Sequence, residues 1–179
     1  MDGMETDVFA ATGLDVGDAL LLDTSAIVAY LEGSAGAKAA MNAVIEAGGS
    51  GMLKLRASAL VWTEALRQPP SAEAALAYRR LLADSTRIVI VPVDVAIAYA
   101  AAGMLAALDR RSGQGQVGMR PEHARESGAT PFFADAIHLA TAVVGRCKAV
   151  LTNDEAWKKA APANLRVIIL DELAAVFSL

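Results

Sequence analysis

The chain has 179 residues and a single cysteine, Cys147. One thiol excludes an internal disulfide and any cysteine-built zinc site, and it suits a reducing compartment. Long apolar runs are also missing. The longest, Val95 to Leu108, contains Gly103 and falls short of the roughly 18 residues that a membrane-spanning helix needs. A buried helix is expected there, and no membrane association. The first residues, Met1 to Asp7, are acidic. They have neither the positive n-region nor the apolar h-region of a signal peptide, so a cytoplasmic location is expected. Positive charge is in deficit too: 16 Lys and Arg against 20 Asp and Glu give a net charge of -4. No global basic field advertises a nucleic-acid binder. Several carboxylates gathered in one site would change this locally, because the divalent cations they bind reverse the field where a phosphate must sit.

What is abundant is aliphatic. Hydrophobic residues make up 55% of the chain, and much of that is alanine, which favours helices. The length suits one α/β domain and not comfortably two. Residues 1–18 read as a flexible acidic extension, with order beginning near Ala19 and a single domain over 19–179. Short aliphatic runs alternate with longer alanine-rich segments, the rhythm of strand-helix-strand units around a parallel sheet buried on both faces. Five strands are expected: Ala19 to Leu22, Leu53 to Ala57, Ile88 to Val91, Ala149 to Leu151 and Val167 to Leu170. Helices are expected over Ser25 to Leu31, Ala37 to Ala47, Ala59 to Leu66, Ala72 to Ala83, Val93 to Leu108, Phe133 to Gly145, Glu155 to Ala160 and Glu172 to Phe177. Pro69-Pro70 separates the third from the fourth. Periodicity stops between about 109 and 131, which reads as an irregular insertion.

In an open parallel sheet, ligands bind outside the carboxyl ends of the strands. Asp23 follows the first strand and Asp154 the fourth. Each alone is explained as a helix N-cap. Asp135, in the first turn of its helix, is explained by the macrodipole, and Glu64 by a solvated helix face. Taken together, each of the four stands at or near the carboxyl end of a different strand or on the helix immediately after one, and convergence accounts for them better. Oxygen ligands of this kind suit Mg²⁺ or Mn²⁺.

The ordered set Leu20-Leu21-Leu22-Asp23-Thr24-Ser25-Ala26, Glu64, Ala134-Asp135-Ala136-Ile137-His138-Leu139-Ala140-Thr141-Ala142 and Leu151-Thr152-Asn153-Asp154 resembles the PIN domain, and within it the VapC-like ribonuclease toxins. The resemblance runs from about Ala19 to Leu170. It implies a three-layer α/β/α domain with a central, mainly parallel five-stranded sheet. It further implies a site in which Asp23, Glu64, Asp135 and Asp154 hold the metal and Thr24, Ser25 and Thr152 are hydroxyl-bearing neighbours. An RNA substrate cut to leave a 5′-phosphate, a cognate antitoxin and a homodimer are implied in the same way. Hydroxyls so placed fix carboxylate rotamers, although turn hydrogen bonds explain each one equally well.

Other signals carry less. Gly113-Gln114-Gly115-Gln116-Val117-Gly118 spells G-x-G-x-x-G, but no strand precedes it, so the setting for dinucleotide binding is missing. His138 stands three residues after Asp135 and reads as packed. Arg110, Arg111, Arg120 and Arg125 could grip RNA backbone, although charged loops are ordinarily just solvated. The rival to a nuclease is a non-catalytic binding module that uses the 109–131 insertion for partner contact. An aspartyl phosphatase ranks lower, because Asp23-Thr24-Ser25 lacks a second acid two positions on.

Overall fold

One short strand with two apolar faces organises the molecule. The computed structural model describes residues 8–67, 69–111 and 133–177, with the backbone alone for 108–111. Strand β1 (Ala19–Leu22) is buried at all four positions. Successive side chains point to opposite faces, so Leu20 and Leu22 enter one apolar layer while Ala19 and Leu21 enter another. A strand covered on both sides needs no polar alternation, hence the unbroken aliphatic run.

Strands β2 (Lys54–Ser58), β3 (Ile88–Val91), β4 (Ala149–Thr152) and β5 (Arg166–Ile169) complete the sheet. Its order is β3-β2-β1-β4-β5 and every pairing is parallel, with Leu21 opposite Arg56 on one side and Leu22 opposite Leu151 on the other. The face of Leu20 and Leu22 is covered by α2 (Thr24–Glu32), α3 (Ala35–Gly49), α4 (Leu60–Arg67), α5 (Ala72–Ala83) and α9 (Leu170–Val176). The opposite face is covered by α6 (Val95–Arg111), α7 (Phe133–Val144) and α8 (Trp157–Ala160). The result is the expected three-layer α/β/α arrangement. All the strands run the same way, so their carboxyl ends share one edge, and β2, β1 and β4 are neighbours there.

The expected flexible lead needs correction over its second half. Residues 8–12 form a helix, α1, and Val8 and Leu14 lie in the same core layer as Leu20. Gly13, at φ +60, closes α1 by donating from its amide to Phe9 O, a left-handed position that suits glycine. The Gly17 amide then donates to Met52 O and the Lys54 amide to Asp18 O, which ties the lead to the start of β2. Acidic composition concealed two apolar side chains with somewhere to go. At the other end of the sequence pattern, α6 continues to Arg111, so the helix takes the first residues of the expected insertion. The G-x-G-x-x-G string, Arg120 and Arg125 lie outside the described residues, as do the side chains of Arg110 and Arg111.

Candidate active site

Asp23 leaves the end of β1 with its backbone amide donating to Leu151 O across the sheet, at 3.0 Å. It caps α2, but the capping bond from the Ser25 amide to Oδ2 is long, at 3.4 Å. The closer partners of Oδ2 are hydroxyls: Ser25 Oγ donates at 2.7 Å and Thr152 Oγ1, from the end of β4, at 2.9 Å. Those hydroxyls are themselves held. Ser25 Oγ accepts from the Asn153 amide at 2.8 Å, and Thr152 Oγ1 accepts from the Asp154 amide at 3.1 Å. The Asp23 side chain is only 9% exposed, and this network replaces the water that burial removes.

Glu64 approaches from α4, the helix after β2. Thr24 Oγ1 donates to its Oε2 at 2.5 Å, and His138 Nε2 donates to the same oxygen at 2.8 Å. His138 Nε2 also lies 3.9 Å from Asp23 Oδ1. The imidazole, delivered by α7 and almost fully buried, therefore stands between the two acids. Burial works against charge on both partners, and their contacts outweigh it. Hydrogen bonds from His138 and Thr24 hold the Glu64 carboxyl below its ordinary range. The bond to Glu64, followed by the fields of Asp23, Glu64 and Asp135, holds the His138 imidazole above its own.

The four acids do not all behave alike. Asp23 and Glu64 meet around His138. Asp135, half-buried in the first turn of α7, is close enough for its charge to act on the same ring. Asp154 sits on the exposed turn after β4, where its Oδ1 accepts from the Ala156 amide at 2.8 Å. It joins the network through its backbone amide. Thr24 donates to Glu64, and Ser25 and Thr152 donate to Asp23, so each of the three hydroxyls meets one of the acids. His138, read from sequence as a packed residue, is instead the group that links them. The available signal was its spacing of three from Asp135, which places both on one helix face.

The PIN domain family matches residues 20–162. The chain belongs to the PIN domain family. Among solved structures, one similar to it is VapBC2 from Rickettsia felis bound to a DNA fragment from their promoter. That likeness has 12% identity and a TM-score of 0.55, and it covers 84% of this chain and 98% of that one. DNA-bound VapBC from Salmonella typhimurium is similar at 14% identity and a TM-score of 0.55, over 85% of this chain and 98% of that one. At such identities the likeness is one of fold. No curated protein matches the chain. PIN-domain nucleases generally use divalent metal ions.

Proposed function

We propose that this PIN domain is a metal-dependent endoribonuclease that hydrolyses RNA phosphodiester bonds, and that it is the toxin of a toxin-antitoxin pair. The observation that carries the reading is the convergence of Asp23, at the end of β1, and Glu64, on the helix that follows the neighbouring strand β2, in a family of nucleases. The fold shared with chains of two VapBC structures supports the antitoxin partner; assembly as a homodimer rests on the family resemblance of the sequence alone. No helix among the described residues is long and apolar enough to cross a membrane.

The donor chemistry fits a hard cation. Asp23, Glu64 and Asp135 offer carboxylate oxygens, which suit Mg²⁺ or Mn²⁺. Among the described residues no group of three or more His, Cys, Asp or Glu side chains is gathered into a cage for an ion. We assign Asp23, Glu64 and Asp135 to the ion and Asp154 to the rim of the site. A bound divalent ion supplies a more acidic water and Lewis-acid stabilisation of charge on the phosphate. The chain's own contribution is preset geometry. Ser25 and Thr152 occupy Asp23 Oδ2 and fix its rotamer, while Thr24 and His138 hold Glu64 by Oε2.

The test is incubation of the purified protein with mixed RNAs in Mn²⁺ or in chelator, beside Asp23→Asn. Cleavage should require both the ion and Asp23. Equal cleavage under all conditions would sink the mechanism, and failure of the wild type to bind Mn²⁺ saturably would favour a non-catalytic binding module.

A further inference from the structure

A histidine on an alanine-rich helix is costly to bury unless its polar atoms are met. His138 is 1% exposed, and its contacts are one-sided. Nε2 faces Glu64 Oε2 at 2.8 Å, Thr24 Oγ1 at 3.5 Å and Asp23 Oδ1 at 3.9 Å. Nδ1 has no hydrogen-bond partner among the described residues. Behind the ring stands Trp157 of α8, with centroids 6.3 Å apart and planes tilted by 38°. The imidazole is thus backed by an indole and presents one nitrogen to two carboxylates, one at the end of β1 and one on α4. The Glu64 side chain is one-third exposed. Without its two holders it would be free to swing toward water, away from Asp23, with which it shares a charge sign.

We propose that His138 is a positioning residue whose Nε2 holds the Glu64 carboxylate at the site and sets its spacing from Asp23. The inference rests on the reading of this site as metal-dependent and adds that the protein itself arranges the two acids before any cation arrives. Groups that orient metal-binding carboxylates typically influence metal affinity about 10- to 100-fold.

The test compares His138→Gln, whose amide nitrogen reaches the Nε2 position, with His138→Asn, whose amide reaches only the Nδ1 position. His138→Leu replaces the latter if it does not fold. Mn²⁺ affinity is read by paramagnetic resonance on each full chain. Stability is read in metal-free buffer for a double-mutant cycle pairing His138→Asn with Glu64→Gln. Asn should weaken Mn²⁺ binding about tenfold or more, and Gln should stay within about threefold of wild type. In the cycle, the second substitution should cost less once the first is made. Equal Mn²⁺ affinity in the Asn and Gln variants of a metal-binding wild type, or additive losses in the cycle, overturns the proposal. If the wild type neither binds Mn²⁺ nor cuts RNA, the functional reading falls, and the metal-free cycle alone decides for His138.

Discussion

Thr152 Oγ1 donates to Asp23 and accepts from the Asp154 amide, so one hydroxyl ties the carboxylate of β1 to the turn after β4. Thr152→Val keeps the shape and removes both bonds. RNA cleavage should fall about 10- to 100-fold, and urea unfolding should show a loss of about 1–3 kcal/mol for the buried partner left unpaired; Thr152→Ser should recover most of each. Cys147 makes the opposite point. Burial pushes its thiol up to about 11, against a smaller opposing effect of Arg56. A raised pKa means less thiolate, so below pH 9 the native chain should react with a thiol reagent about a hundredfold more slowly than the unfolded chain, as timed labelling would show. Asp23 was legible in the sequence because its helpers, Ser25 and Thr152, adjoin recognisable strand ends. His138 was not. Its partner Glu64 lies 74 residues upstream, and nothing in the local pattern distinguishes a linking imidazole from a packed one.

Among elements, α5 coincides with its expected span because Ser71 caps it through its side chain and the prolines stop what precedes it. Strands β1 and β3 likewise match, as aliphatic runs bounded by charged residues or, after β3, by Pro92. Strand β2 begins and ends one residue later than expected, since Leu53 is a core residue just outside the ladder. The lead departs from its expected flexibility for a related reason: burial of Val8 and Leu14 depends on core neighbours distant in sequence, which no local pattern reveals. Removing residues 1–14 should therefore destabilise the domain by about 2–4 kcal/mol, for two apolar side chains withdrawn from the core, as denaturant titration would measure. Packing of α3 on β2 is equally exacting. A Cβ on Gly48 would lie 2.5 Å from Leu55 Cδ1 and 3.1 Å from Arg87 O, so Gly48→Ala should cost about 1–3 kcal/mol by overpacking, read as a lower urea midpoint.

Across the whole molecule, a net charge of -4 offers no global basic field, and a cation that binds only the folded site must stabilise the fold by mass action. At a hundred times its Kd, Mn²⁺ should add about 2.7 kcal/mol to the wild type and little to Asp23→Asn, a difference that calorimetric melting would show. The sheet order has a further consequence, in time as well as space. The central strand comes first in the chain, yet its neighbour β4 comes late, and the hydroxyl that steadies Asp23 is 129 residues away. A chain still emerging from the ribosome, without Thr152, has Asp23 and Glu64 but not the strand that finishes their setting. The site is complete only once β4 has been made, so a polypeptide that stops short of it carries its acids without the means to align them.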